Sequence, residues 1–257
     1  MKKGSPGLGI PFAGATTAAR ARGGCSLAVL ALLLAGCSLR PAALGGVKEA
    51  GSSDTQRFLA LGDSYTIGES VTPAERWPAQ LAALLRERGA AVADPEIVGR
   101  TGWTTNELAA GIRQARPRGR YALVSLLIGV NDQYRGRAVE EYRAQFVSLL
   151  RQAIAYAGGD LKRVLVLSIP DWGVTPYAEG RDRVWIAAEI DRFNAVNREE
   201  AKRAGARYVD VTPQSRAAAA DPAMVAGDGL HPSGRMYAEW ARLALPAALA
   251  ALGVEAR

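Results

Sequence analysis

The sequence predicts an α/β fold in which helices cover both faces of a parallel β-sheet. Short apolar runs alternate along the chain with longer stretches in which apolar residues have helical spacing. Strands that alternate with helices pair in parallel, because each connection crosses over one face of the sheet. The 257 residues, 49% of them hydrophobic and 22% charged, are enough to bury a full core.

The predicted elements are the following, in chain order. The candidate strands are residues 58–61, 96–98, 121–128, 164–169 and 207–211, of which the third is the strongest. Helical patterns occupy residues 73–88, 138–157, 183–205 and 233–252. The third helical pattern places Ile186, Ile190 and Phe193 on one face. Ser233 is the expected N-cap of the last helix.

Residues 1–36 have the three parts of a signal peptide. Four basic residues precede an apolar run at residues 27–35, and small residues lead to Cys37. This run is too short for a membrane-spanning helix, which needs roughly 18 residues. The stretch LAGC, residues 34–37, resembles the bacterial lipobox, which implies cleavage before Cys37 and a lipid on its thiol. An ordinary secretory signal that contains a cysteine is the alternative.

The rest of the chain divides into a tether and one domain. Residues 37–56, rich in Ala, Gly and Ser, are predicted to be a lipidated tether, and residues 57–257 the folded domain. The chain is therefore expected to be exported and anchored through Cys37 to a membrane of the bacterial cell envelope, at the periplasmic face or the cell surface.

Composition argues against several kinds of partner and site. Without the signal segment, 28 basic residues face 25 acidic ones, a balance of +3 instead of +7, so no nucleic-acid partner is expected. The cysteines are Cys25, inside the signal, and Cys37, so the domain has no disulfide and no cysteine nucleophile. One histidine without a free cysteine cannot build the usual zinc site, and no loop has the spacing of a calcium or magnesium site. We expect neither a metal nor another cofactor.

The first strand runs into Gly62, Asp63 and Ser64, where the carboxyl ends of parallel strands form the binding edge of a sheet. Glycine permits a sharp turn, and a serine that starts the next element exposes its hydroxyl and its N–H together. Ser64 is therefore the candidate nucleophile. The alternative is a helix cap, for which Asp and Ser are both favoured.

His231, in the stretch GDGLHPSG, is the only histidine and hence the candidate base for Ser64. Asp228 precedes it by three residues in the same loop, so the carboxylate can orient the imidazole through Nδ1. A histidine of purely structural role is the alternative. Its pairing with Asp228, just before the last helix, favours catalysis.

Two further loops offer donors for an oxyanion. The stretch GVND, residues 129–132, follows the third strand and presents Asn131. The stretch GRTGWTTNEL, residues 99–108, follows the second strand, and there Gly102 can offer a backbone N–H. Each stretch alone is also compatible with an ordinary turn.

Together these four blocks resemble the SGNH, or GDSL, hydrolase family, over about residues 58–250. The resemblance implies a flavodoxin-like three-layer αβα sandwich with a five-stranded parallel sheet, and hydrolysis of esters or thioesters without a cofactor. Tyr65 stands where the family commonly has leucine, and in the second block Gly99 is the alternative to Gly102. The family's blocks fall on Ser64, on Gly102, on Gly129 with Asn131 and Asp132, and on Asp228 with His231.

The resemblance also implies a mechanism and leaves one rival function. Ser64 attacks the ester, His231 takes the proton, and Asp228 steadies the imidazolium. The N–H groups of Ser64 and Gly102 and the Asn131 side chain hold the oxyanion. The chain lacks the G-x-S-x-G elbow of ordinary α/β-hydrolases and the P-loop of nucleotide enzymes. A catalytically inactive glycan- or lipid-binding surface lipoprotein on the same scaffold is the alternative.

Aromatic residues follow several strands and are candidates for a substrate pocket. Trp172 and Tyr177 lie in residues 168–180, after the fourth strand, and Trp103 and Tyr134 lie near other strand ends. Aromatic rings suit both a sugar and an apolar acyl chain, so the candidate substrates are acetylated carbohydrates and lipid or lysophospholipid esters. A packed loop without a binding role is the alternative.

Overall fold

The computed structural model describes residues 55–254, which contain a five-stranded sheet in the order β2-β1-β3-β4-β5. All neighbouring strands are parallel. This is the strand order of the flavodoxin-like doubly wound fold, so the predicted α/β class is confirmed. The strands are β1 (Phe58–Gly62), β2 (Glu96–Gly99), β3 (Leu123–Leu127), β4 (Val164–Leu167) and β5 (Arg207–Val209).

Helices pack on both sides of the sheet. On one side α2 and α8 pack against each other, and α5 packs between α3 and α6 in a second group. The helices are α1 (Ser64–Ile67), α2 (Trp77–Glu87), α3 (Thr105–Ala115), α4 (Val130–Tyr134), α5 (Val139–Tyr156), α6 (Arg183–Ala204), α7 (Thr212–Arg216) and α8 (Gly234–Leu252). Within residues 55–254, no helix combines the length and the apolar character needed to cross a membrane.

The central strands explain why the sequence has continuous apolar runs. Every residue of β1, β3 and β4 is buried, as expected for parallel strands that are covered on both faces. β4 nevertheless ends two residues before the predicted boundary. There the side chain of Asn194, on α6, bonds both the N–H and the carbonyl of Ile169, at 2.7 and 2.9 Å. A side-chain amide thus replaces the next strand partner.

The helix α3 was not predicted, although the sequence contains its start signal. Thr104 and Glu107 form a capping box, in which the Glu107 carboxylate accepts from the N–H and the hydroxyl of Thr104, each at 2.8 Å. Gly111, in the helix interior, weakens the helical pattern. The ring of Trp103 lies where a Cβ at this position would be, so the glycine is explained by packing. Ser233 is the N-cap of α8, as predicted, and accepts from the N–H of Met236.

Two predicted features lie wholly or mainly outside the described residues. These are the signal peptide, residues 1–36, with the lipidation site Cys37 after it, and the tether, residues 37–56, of which only the last two residues are described.

Candidate active site

The nucleophile turn joins β1 to α1. A Cβ at Gly62 would collide with the Thr66 hydroxyl and with the carbonyl of Leu127 on β3, so the turn has room only for glycine. Asp63 is the N-cap of α1, and its Oδ1 accepts from the N–H of Tyr65 at 3.0 Å. Ser64 is the first residue of the helix. The helix-cap interpretation therefore applies to Asp63, and it leaves the hydroxyl of Ser64 free for chemistry.

Asp63 lies in an unusually apolar place for a carboxyl group. Burial raises its pKa to about 8, repulsion from Asp132 adds to this, and the hydrogen bond from Tyr65 opposes it. Its Oδ2 is buried and has no hydrogen-bond partner among the described residues. We therefore describe Asp63 as a largely neutral acid near pH 7, directly beside Ser64.

The acid–base turn precedes α8 and brings Asp228 and His231 together. Asp228 Oδ2 lies 2.6 Å from His231 Nδ1, and Oδ1 accepts from the N–H groups of Leu230 and His231 at 2.9 Å each. Burial of Asp228 favours the neutral acid, but hydrogen bonds from Ser70, from the imidazole and from these N–H groups outweigh it and lower the pKa of Asp228. An ionised carboxylate at Nδ1 favours the tautomer that leaves Nε2 as the base.

Ser64 and His231 line the same cleft, although no hydrogen bond joins their side chains within residues 55–254. Only 7% of His231 is exposed, and the Tyr65 ring meets the imidazole edge-on with 5.5 Å between the ring centres. Such catalytic contacts are often long in free enzymes and tighten when substrate binds. The arrangement is therefore compatible with proton transfer from Ser64 to His231.

The loop after β2 brings Gly102 into the cleft, and its φ of +81° is a conformation that favours glycine. The carbonyl of Gly102 accepts from the Arg135 guanidinium at 2.7 Å, which holds the peptide in place. Gly99 is instead the last residue of β2 and pairs with Gly62. Of the two candidate glycines, only Gly102 lines the cleft.

Asn131 also lines the cleft, from the first turn of α4. Its Nδ2 donates to the carbonyl of Trp103 at 3.0 Å, which leaves the second N–H of the amide available. Gly129 has a φ of +128°, and a Cβ there would lie 2.5 Å from the Tyr142 hydroxyl, so this turn also requires glycine. Asp132 is fully buried and accepts from the N–H and hydroxyl of Thr105, at 3.0 and 2.8 Å. Its place is structural, between α4 and α3.

Three aromatic residues, Tyr134, Trp172 and Tyr177, line the outer part of the cleft and are called the aromatic rim below. Their ring centres are 5.4 to 6.3 Å apart, and the Arg181 guanidinium lies 5.2 to 5.4 Å from each of them. The cleft measures about 500 Å³, including space open to solvent. Trp103, the fourth aromatic candidate, is not part of it, because its ring packs on α3.

Two polar residues of the site were not predicted. Each of them forms a hydrogen bond to a site residue that is distant in the sequence. Arg135 donates to the carbonyl of Gly102, and Ser70 Oγ donates to Asp228 Oδ2 at 2.6 Å. Neither residue belongs to a recognisable motif. The sequence carries no signal for either contact.

Comparisons with known proteins give the family and support the fold. The family model described as GDSL-like lipase/acylhydrolase matches residues 60–239. A solved structure of TesA has 22% identity and a TM-score of 0.60, over 77% of this chain and 100% of that one. A lipase/acylhydrolase from Enterococcus faecalis has 18% identity and a TM-score of 0.60, over 79% and 100%.

A third solved structure is similar to the same extent. The acetylxylan esterase Axe2 from Geobacillus stearothermophilus has 21% identity and a TM-score of 0.55, over 78% of this chain and 95% of that one. A search of curated proteins gave no match. At these identities the solved structures support the fold, and the family model carries the assignment.

Proposed function

The chain belongs to the GDSL-like lipase/acylhydrolase family and is an ester hydrolase, and from this premise we propose that it acts through an acyl-enzyme on Ser64. The observation that carries the proposal is the 2.6 Å contact between Asp228 and His231 in the cleft that Ser64 lines. A nucleophile, a base and an acid that orients the base are the parts that acyl transfer requires.

The first half of the reaction forms the acyl-enzyme. Ser64 Oγ attacks the ester carbonyl carbon while its proton passes to Nε2 of His231. The carbonyl oxygen becomes an oxyanion held by the N–H groups of Ser64 and Gly102 and by the Asn131 amide. The bond to the alcohol oxygen then breaks, and His231 gives its proton to the leaving alcohol. Asp228 stabilises the imidazolium during both transfers.

The second half repeats these steps with water. His231 takes a proton from a water molecule whose oxygen attacks the acyl carbon, and the same donors hold the oxyanion. The bond to Ser64 Oγ breaks, Oγ recovers the proton from His231, and the carboxylic acid leaves. Every group that the cycle uses belongs to the chain.

We propose that the ester is either an acetylated carbohydrate or a lipid or lysophospholipid. The aromatic rim offers ring faces to a sugar or an acyl chain. A second, mainly apolar pocket of about 260 Å³, including space open to solvent, adjoins the cleft at His231 and includes Met224, Val225 and Met236 in its lining. Among the similar structures, one protein is an acetylxylan esterase and another a lipase/acylhydrolase.

The alternative, an inactive glycan- or lipid-binding protein, is disfavoured. Such a protein needs no pairing of Asp228 with His231 in the cleft that Ser64 lines. A single experiment separates the two functions. The full chain and its Ser64→Ala variant are tested with aryl esters of increasing acyl length, with acetylated polysaccharide and with a fluorophosphonate. Hydrolysis and covalent labelling in the wild type alone support the proposal, and equal signals from both proteins contradict it.

We also propose that the chain is a lipoprotein anchored through Cys37, from the signal and lipobox pattern alone. Cells that express the wild type or Cys37→Ala are labelled with radioactive palmitate, with Ser38→Ala as the matched control. Label in the wild type and the control, but not in Cys37→Ala, supports the anchor. Undiminished label in Cys37→Ala contradicts it.

A further inference from the structure

The turn after α1, residues 68–70, contacts two of the other loops that build the cleft. Glu69 accepts a hydrogen bond from the hydroxyl of Thr101, in the loop that carries Gly102. Ser70 Oγ donates to Asp228 Oδ2 at 2.6 Å, and this is the same oxygen that His231 Nδ1 contacts. The segment that carries the nucleophile is thus bonded directly to the acid of the acid–base pair.

The backbone of Ser70 is strained. Among residues 55–254, the only residues other than glycine with a positive φ are Ser70, at +65°, and Arg116, at +49°. Arg116 is the C-cap of α3, where this conformation is a common way to end a helix. Ser70 has no such explanation, because Gly68 already ends α1. Non-glycine residues held in this region often lie at functional sites.

A glycine at position 70 would hold the same backbone with less strain, but it would have no hydroxyl. We propose that Ser70 is a positioning residue of the active site, whose hydroxyl holds Asp228 Oδ2 in place for His231. The inference rests on the proposed function of Asp228 and His231. It explains why a strained serine occupies a position where the backbone favours glycine.

The geometry indicates what the hydroxyl does. Asp228 Oδ1 is already held by two backbone N–H groups, whereas Oδ2 receives only Ser70 and His231. The Asp228 side chain is 30% exposed, so without Ser70 water can reach Oδ2 and loosen its alignment. The hydroxyl also takes up part of the carboxylate charge. Its removal therefore leaves more negative charge facing the imidazole, which favours the protonated imidazole.

Several titratable groups surround the pair. Tyr65 and Tyr237 are buried, and burial raises the pKa of both hydroxyls. Asp171 is paired with Arg216 at 2.9 Å. Asp63 and Glu69 lie close enough to Tyr237 to raise its pKa, and the Arg76 side chain packs against the turn at Gly68. A shift in the titration of His231 on substitution at position 70 is therefore assigned to the lost hydroxyl.

The test compares two variants that both lack the hydroxyl but differ in backbone strain. Ser70→Ala keeps the strained conformation, whereas Ser70→Gly relieves it. The full chain, purified without a histidine tag, is labelled with ¹⁵N-histidine. Because the chain contains one histidine, the NMR titration reports on His231 alone. We expect the titration to move upward relative to the wild type in both variants.

Kinetics on an aryl ester provide the second measurement. The loss of one partly exposed hydrogen bond is expected to lower kcat about threefold to tenfold. The acid limb of kcat/KM should move upward in parallel with the NMR titration. Ser70→Gly should melt at a higher temperature than Ser70→Ala. A kinetic loss that both variants share, although only Ser70→Gly relieves the strain, is not explained by a purely structural role.

Two control variants separate the hydroxyl from the backbone. Ser148→Ala removes an exposed hydroxyl on α5, and Arg116→Gly relieves the other strained position. Both should keep the wild-type titration and kcat, and Arg116→Gly should also raise the melting temperature.

The outcomes distinguish this inference from the proposed function. If Ser70→Ala and Ser70→Gly both keep the wild-type titration and kcat, or if the titration moves downward, the positioning role of Ser70 is wrong although Ser64-dependent hydrolysis stands. If the wild type hydrolyses no ester and fluorophosphonate does not label Ser64, the proposed function is wrong and the positioning role fails with it. The NMR titration then shows only whether Ser70 contacts Asp228.

Discussion

The acid–base turn and the aromatic rim line the same cleft but are held in place in different ways. Asp228 makes hydrogen bonds of 2.6 to 2.9 Å to four donors. The aromatic rim combines ring contacts with three side-chain hydrogen bonds of 2.9 to 3.3 Å spread over its three residues, and Tyr134 and Tyr177 are 45% and 42% exposed. Four hydrogen bonds to one carboxylate fix its atoms for one reaction, whereas half-exposed aromatic rings can contact either a sugar or an acyl chain. The first region should therefore determine the rate with every ester, and the second should determine which ester binds.

The largest expected effect tests the chemistry directly. Ser64→Ala and His231→Ala should each lower kcat by about 10⁴-fold or more, and the double variant should be scarcely slower, because the two residues act as one unit. The measurement is kcat/KM with an aryl acetate, and circular dichroism serves as the control for folding. Wild-type turnover in His231→Ala would mean that the base lies elsewhere.

A substitution of Asn131 tests whether this residue, like the acid–base turn, affects the rate and not the binding of the ester. Asn131→Ala should lower kcat by roughly 10²- to 10³-fold with little change in KM, since the amide acts on charge that develops only in the transition state. Steady-state kinetics on two esters of different acyl length should give the same loss. An effect mainly on KM would instead assign Asn131 to substrate binding, together with the aromatic rim.

The next prediction concerns Asp63 and the pH dependence of the free energy of unfolding. Its pKa of about 8 in the folded chain lies above its ordinary value of 3.8. Its contribution to stability is therefore complete below about pH 4 and is lost as the pH rises to about 8, with a slope of at most about 1.4 kcal/mol per pH unit. Asp63→Asn retains an acceptor for Tyr65 but does not titrate, so its unfolding free energy should be flatter over this range. Urea unfolding of both proteins from about pH 5 to about pH 8 measures the difference, and parallel curves would contradict the raised pKa.

The smallest effect is expected at the aromatic rim. Tyr177→Ala should raise KM about threefold to tenfold and leave kcat nearly unchanged, because ring contacts contribute about 0.5 to 1.5 kcal/mol. The change should differ between acyl chains of different length. Trp185→Ala is the matched control, since Trp185 is an exposed aromatic residue outside the cleft lining. Equal effects of the two substitutions on KM would contradict a role of the aromatic rim in substrate binding.

The extent of sequence prediction differs between these regions for a physical reason. Ser64, Gly102 and Asn131 follow the carboxyl ends of strands, and in the sequence each lies where glycine and small polar residues come after an apolar run. Because the strands are parallel, their carboxyl ends meet at one edge of the sheet. Asp228 and His231 are three residues apart, so their contact is local. The Ser70 contact spans 158 residues and depends on side-chain geometry that no pattern encodes. Trp103 was predicted to line the pocket because it follows β2. Its ring instead packs over Gly111 on α3, a contact that depends on the tertiary structure and cannot be read from the sequence.

The acid–base turn also bears on how tolerant the chain is to insertion and grafting. Asp228 is oriented in part by N–H groups of residues 230 and 231, so this part of its alignment with the imidazole is set within four consecutive residues. Inserting residues between positions 217 and 221, upstream of the turn, leaves that relation intact, whereas a single insertion between positions 228 and 231 breaks the two N–H bonds and the imidazole contact at once. We expect the pair to work before the last helix of a related scaffold only if the recipient supplies a hydroxyl in the place of Ser70.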